Sequence, residues 1–392
     1  MLLIDEQLDK ELSAFICAWD DFEKSTGGED IIDMNLSGHV AGKKYQNRKE
    51  ILKDIEYFLS LSEVKAHSVI YRKMTAHHYF LRQVMNNDIP FDEYFENTMG
   101  LKPVIFTPEK IAGLQEQTKN LLAQSGFEYH TNVVGEIMSS DLIKPSNKTG
   151  ELLNETHKAF YQWINTILDL NATFDIEYSF LPEGHHFWAW ISGDGRNFSV
   201  RLNKQRVNEY SISNLKRLAT HELTAHAVQA SILRTKVERG KIPRYLGYIT
   251  THESFQFSSE GLASTLIDFY PDEFASNKAI KLIQQIVRLD YVVYSNAAIR
   301  FCRGEPREEC IDYAMKNCTF RKEEVARRLE YLLSNKPIGF GYRQVYGVAI
   351  ETFLEIKGSY PDKNKFVKSV YEDFLMPDQI LAMTKRPVAD FV

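Results

Sequence analysis

The chain has few cysteines, no long hydrophobic run and no excess of positive charge. Four cysteines occur in 392 residues. Cys302, Cys310 and Cys318 are evenly spaced without a CxxC pair, which favours buried thiols over a cysteine-held metal. No run approaches the length of a membrane span, and residues 1–24 are acidic and amphipathic, unlike a signal peptide. We therefore expect a soluble, cytoplasmic protein with no membrane partner.

The composition sets the size of the fold and excludes one class of partner. A net charge of −6 and a pI near 6.0 argue against a nucleic-acid partner, because such proteins usually present a basic face. With 44% hydrophobic residues, a chain of this length can bury a substantial core as one large domain or two.

Hydrophobic periodicity predicts a mostly helical α+β protein with one small antiparallel sheet. Helical patterns occur near 5–24, 47–62, 64–86, 108–125, 151–169, 275–300, 307–317, 321–335, 343–357 and 362–376. Apolar and polar residues alternate over 174–180, and further strands are predicted at 187–192 and 198–202. We divide the chain into a helical N-terminal region, 1–130, and a second region, 131–392, or treat both as one compact unit.

Two short motifs follow the predicted sheet. The first is His221-Glu222-Leu223-Thr224-Ala225-His226, an HExxxH sequence, and the second is Ser259-Glu260-Gly261-Leu262-Ala263. Two histidines and a carboxylate are a ligand set that suits zinc with one open position. On this reading His221, His226 and Glu260 hold Zn²⁺, one per chain, and Glu222 acts on its water as general base.

The histidine spacing predicts an unusual helix. The two residues are five apart, about 500° on an ideal α-helix, which leaves their rings roughly 140° out of line. A local widening with i→i+5 bonding would realign them, so we predict a π-bulge between Thr220 and Ala227. Ser211 or Ser213 is the predicted N-cap of this helix.

Glu260 is predicted to lie near the start of a second apolar helix, capped by Ser258 or Ser259 and ended before Pro271. We attribute Gly261 to close approach of the histidine-bearing helix. The plainer interpretation is that both histidines are core residues and that Glu260 is an ordinary carboxylate near a helix N-terminus. The joint occurrence of both motifs on suitable helices favours a metal site.

The paired motifs resemble the QEGLA-motif proteins, which include flavohaemoglobin expression-modulating proteins and microtubule-associated tyrosine carboxypeptidases. The similarity runs from about residue 179 to 266, and more weakly towards 346. The resemblance implies a zincin-like catalytic domain, zinc held by His221, His226 and Glu260, and a catalytic Glu222. Ser259 replaces the usual Gln or Glu, and Tyr342-Arg343 replaces a Lys-Asp pair, which bears on substrate preference.

Other residues are candidates for contacting a substrate, expected to be a peptide or protein C-terminus. Stabilising an oxyanion needs a hydrogen-bond donor. The candidate donors are Tyr248, His252, Tyr342 and Tyr346. A terminal carboxylate pairs well with arginine, for which Arg343 and Arg303 are the candidates.

Two alternatives to a carboxypeptidase remain open. One is a zinc hydrolase of another amide, in a small peptide or metabolite. The other is a non-catalytic helical binding protein with a structural metal site. Glu222 is dispensable for holding zinc, so its presence argues against the second alternative.

Overall fold

A computed structural model describes residues 4–181, 188–271 and 278–384, which form a mostly helical α+β fold with a small sheet. The α-helices are α1 Glu6–Thr26, α2 Arg48–Ser60, α3 Ser62–Ala66, α4 Ser68–Val84, α5 Phe91–Met99, α6 Pro108–Gln124, α7 Val133–Ser139, α8 Asn147–Ile167, α9 Ile212–Ala219, α10 Val228–Glu238, α11 Phe255–Phe269, α12 Lys278–Cys302, α13 Arg307–Asn317, α14 Lys322–Ser334, α15 Lys336–Gly339, α16 Tyr342–Ser359, α17 Lys363–Glu372 and α18 Pro377–Leu381. A π-helical segment, Thr220–Ala227, joins α9 to α10.

The sheet is mixed, so the prediction of an antiparallel sheet is wrong. Its strands are β1 Met34–Asn35, β2 Asp175–Phe180, β3 Ala189–Gly193, β4 Asn197–Leu202 and β5 Tyr248–Ile249, in the order β2-β4-β3-β1-β5. β3 and β4 form the expected hairpin, but β4 rather than β3 pairs with β2, which makes that pairing parallel. β1 runs parallel to β3 and antiparallel to β5.

Most predicted helices agree with the structure to within a few residues, and the differences have local causes. The predicted helix at 64–86 is two helices, because His67 interrupts it and accepts a hydrogen bond from the Ile70 amide through its ring. The region predicted at 362–376 holds α17 and the residues before α18. The helices α5, α7, α15 and α18 were not predicted. Residue 187 and residues 275–277, parts of two predicted elements, lie outside the described residues.

Two large hydrophobic clusters meet at the histidine-bearing segment. Ala225 and Val228 belong to one cluster, whereas Leu223 and Ala227 belong to the other. Residues from before and after position 130 contribute to both clusters. The π-helical segment is therefore held from two sides by packed side chains, which fixes the direction of its remaining face. Of the helices described, none is both long and apolar enough to cross a membrane.

Candidate metal centre

The helix that carries the first motif is widened where the spacing predicts. α9 begins after Ser211, whose hydroxyl accepts a hydrogen bond from the Asn214 amide, which confirms one of the two predicted caps. Ser213 instead donates to the Asp141 carboxylate from both its amide and its hydroxyl. The π-helical turns then cover Thr220–Ala227, so the predicted π-bulge is confirmed.

The widened turns place both histidines on one face. The Nε2 atoms of His221 and His226 are 3.3 Å apart, and their ring planes are inclined by 82°. His221 is partly exposed and His226 is buried. The ligand atoms of both histidines and Glu222 all lie within 4.8 Å of one another.

Glu260 reaches the same point from α11. Its Oε2 lies 3.4 Å from His221 Nε2 and its Oε1 lies 3.6 Å from His226 Nε2. α11 begins at Phe255, so Ser258 and Ser259 lie within the helix, and the prediction that either caps it is wrong. The helix starts further upstream because residues 255–257 are already helical and are buried in the core.

Gly261 is required by a different neighbour from the one predicted. A Cβ there would lie 2.3 Å from Cε2 of Phe353 on α16, so the close approach is to α16 rather than to the histidine-bearing helix. The two helices pack so tightly at this glycine that Glu260, the preceding residue, is held at a fixed depth.

The donor set fits a zinc ion. Ligands at about 2.0–2.1 Å from a tetrahedral centre are about 3.3–3.5 Å from one another. The Nε2 atoms of His221 and His226 are 3.3 Å apart, as two ligands of one ion would be, and Glu260 places Oε2 3.4 Å from the first and Oε1 3.6 Å from the second. Glu260 Oε2 is buried and lacks a hydrogen-bond partner among the described residues, as expected of an atom whose partner is an ion.

A hydrogen-bond chain fixes the orientation of His226. The Gln229 amide nitrogen donates to the Val370 carbonyl, which leaves Gln229 Oε1 to accept from the Ser259 hydroxyl at 3.0 Å. The Ser259 oxygen lies 3.1 Å from His226 Nδ1 and therefore accepts its hydrogen. His226 Nε2 is left facing Glu260 and His221, where it donates to Glu260 when the ring is protonated and can bind an ion through its lone pair when the ring is neutral.

Electrostatics at the site are dominated by buried carboxylates. Burial alone would raise the pKa of Glu260, but the charge of His226 and the contacts with both histidines hold that pKa well below its usual range. Burial tends to lower the pKa of His226, but Glu260, Glu222 and Asp33 together raise it. Burial raises the pKa of Asp33 to about 7.

Two tyrosines predicted as oxyanion donors lie at the site. The Tyr342 hydroxyl donates to Glu260 Oε1 at 2.6 Å, and the Tyr346 hydroxyl donates to the Tyr342 oxygen at 2.8 Å. Burial, together with the charge of Glu260, raises the pKa of both tyrosines well above the usual value, so both keep their protons. Arg343, on the same helix, lines the same cavity and lies over the ring of Tyr331.

Three other predicted residues lie away from the site. Tyr248 donates its hydroxyl hydrogen to the Gly38 carbonyl. His252 is buried 2.8 Å from His77 and stacked on an aromatic ring, and burial lowers its pKa well below the usual value. Arg303 pairs with Asp92 at 3.1 Å. Among the described residues, none of the three lines the cavity that opens on the metal motif.

That cavity has a volume of about 740 Å³ and is also lined by residues that were not predicted. Asp33 comes from the segment before β1, nearly 190 residues upstream of the motif, and its backbone N–H donates to the Ile249 carbonyl. No local pattern marks it. Arg217, by contrast, lies four residues before His221, and that helical spacing was a usable signal.

Comparisons with known proteins identify the fold but no family. No protein-family model matches the chain, and no curated protein matches it. The chain is similar to the crystal structure of "the putative lipoprotein from Colwellia psychrerythraea", with 13% sequence identity and a TM-score of 0.54. The alignment covers 92% of this chain and 67% of the other. At this identity the similarity shows a shared fold alone.

Proposed function

We propose that this protein is a zinc-dependent metallopeptidase of the carboxypeptidase type. The observation that carries the proposal is the convergence of His221, His226 and Glu260: the two Nε2 atoms are 3.3 Å apart, as two ligands of one zinc ion would be, and a Glu260 oxygen lies within 3.6 Å of each. Glu222 lies beside this group without being needed to complete it. A large cavity leads to the same atoms, with room for a peptide.

The proposed chemistry divides between the ion and the chain. Zinc held by His221, His226 and Glu260 would supply Lewis acidity to the scissile carbonyl and its attacking water. Glu222 takes the proton from that water on its carboxylate and passes it to the leaving amine. Tyr342 and Tyr346 lie beside the ligands, and a hydroxyl that turned from its present acceptor would donate to the negative charge that develops on the carbonyl oxygen.

Metal content and turnover, measured on matched variants, test the proposal. We expect about one zinc per chain, lost in His226→Ala and Glu260→Ala because each removes a ligand. Glu222→Gln should keep the ion and lose turnover of free-acid peptides by about 10²–10⁴-fold, the usual contribution of a general base. Glu309→Gln, at an exposed position on α13, is the control and should change neither quantity.

Each alternative function gives a different result. Equal hydrolysis of free-acid and amidated peptides would indicate a hydrolase of another amide rather than an exopeptidase. Zinc binding with no turnover, together with normal cellular function in Glu222→Gln, would indicate a binding protein with a structural ion. A folded wild-type protein that takes up no added zinc would contradict the whole proposal.

A further inference from the structure

We propose that Arg217 binds the free C-terminal carboxylate of the substrate, an inference that rests on the proposed function. Arg217 lies on α9, four residues before His221, so its side chain is on the same helix face, about 6 Å along the axis. It lines the cavity that contains His221 and Glu222.

The guanidinium of Arg217 has most of its donors available. Among the described residues, its hydrogen-bond partner is Asn214 Oδ1, 3.2 Å from Nε, and no carboxylate pairs with it. Glu209 and Glu222 act on it only through longer-range charge, and burial lowers its pKa. A guanidinium carries five N–H donors, so four remain for a ligand.

Three other arginines in the same cavity wall have carboxylate partners. Arg206 pairs with Glu209, and Arg327 and Arg328 both pair with Glu324. Arg217 is partly buried in this wall and no carboxylate among the described residues pairs with it, so a bound anion would offset the cost of its partial burial. A carboxylate is the anion whose two oxygens match the guanidinium fork.

The position of Arg217 also limits which bond is cut. Arg217 is one helical turn from His221, so a carboxylate bound there lies close to the metal ligands and the scissile bond must lie near that end of the peptide. The expected substrate is therefore a peptide with a free α-carboxylate that loses residues from that end.

Binding rather than turnover tests this inference. The parent is the Glu222→Gln protein, so that peptides bind without being cut. The probes are twenty N-acetylated tripeptides that differ in the last residue, each as the free acid and as the amide, titrated by calorimetry. A charge-assisted pair should favour acid over amide by about 10–100-fold in the parent. Adding Arg217→Gln should reduce that ratio to about 1.

Matched variants separate a binding role from a structural one. Arg217→Lys keeps the charge without the fork and should retain part of the preference for the acid. Arg239→Gln, at an exposed position just after α10, should leave the preference unchanged. Arg217→Gln should also raise the melting temperature of the free protein, because it removes an unpaired cation from the cavity wall. If Arg217→Gln does not fold, Arg217→Lys tests the assignment instead: a reduced preference for the acid supports it, and an unchanged preference contradicts it.

The outcomes distinguish this inference from the proposed function. Loss of the acid preference in Arg217→Gln supports the inference even if wild-type protein never hydrolyses a peptide. Hydrolysis of peptides with no acid preference, or an unchanged preference in folded Arg217→Gln, overturns the assignment of Arg217 and leaves the hydrolase proposal standing. Failure of every free-acid probe to bind also overturns the assignment.

Discussion

Gly261 gives a sharp test of how the core positions the metal ligands. It follows Glu260 on α11 and faces the fully buried Phe353 of α16. A Cβ at residue 261 would lie 2.3 Å from Cε2, 2.5 Å from Cδ2 and 2.8 Å from Cζ of that ring. Because the ring is enclosed by core side chains, Gly261→Ala cannot be accommodated by rotation of the ring into solvent.

The expected size of the effect is a balance of two terms. Alanine is a better helix former than glycine by about 1 kcal/mol, which favours the variant. Overpacking a tight core costs typically about 1–3 kcal/mol, and three ring atoms inside contact distance place this site at the upper end. We therefore expect Gly261→Ala to lose about 1–2 kcal/mol of unfolding free energy and to bind zinc more weakly, because Glu260 moves with α11.

Chemical denaturation of a double-mutant cycle would measure this. Phe353→Leu removes ring atoms that the new methyl would meet, so the double variant should be more stable than the sum of the single changes by about 1 kcal/mol or more. Gly113→Ala is the control, since Gly113 lies within α6 with open space around its Cβ position, and it should gain up to about 1 kcal/mol. A Gly261→Ala protein as stable as Gly113→Ala would refute the packing argument.

Two further predictions concern Asp290 and Ser259. Burial raises the pKa of Asp290 from 3.8 to about 7, so above pH 4 the unfolded chain ionises before the folded one, and stability falls as pH rises towards 7. The advantage of Asp290→Asn over wild type in unfolding free energy should grow by about 3 kcal/mol between pH 5 and 8, measured by denaturation at each pH. An advantage that stays constant with pH would contradict this. Ser259→Ala removes the hydroxyl that accepts from His226 Nδ1 and orients the ring. Zinc affinity, measured by competition with a chelator, should therefore fall about 10–100-fold. Unchanged affinity would show that the hydrogen bonds through Ser259 and Gln229 do not orient His226.

The sequence predicted the parts of the site that depend on local geometry. The five-residue separation of His221 and His226 implied a widened helix because no regular α-helix places both rings on one face. The motif likewise identified Glu260. The predicted start of the helix that carries Glu260 and the predicted neighbour of Gly261 were both wrong. Both features are set by packing against segments distant in sequence rather than by nearby residues. Asp33 could not be predicted, since the long-range pairing of β1 with β3 and β5 brings it to the cavity.

The charges around the site favour a bound cation. Glu260, Glu222 and Asp33 all act on His226, so three carboxylates are gathered near one imidazole in a largely buried place. Such a group is costly without compensating positive charge; burial first, and then the charges of Glu260 and Glu222, raise the pKa of Asp33. A divalent ion between the ligands would reduce it for all three carboxylates at once. Arg217 and Arg343 line the same cavity, so on the proposed function the cavity would offer a place for a cation and a place for a carboxylate. That separation suits a substrate whose charged end must be held away from the carbonyl under attack.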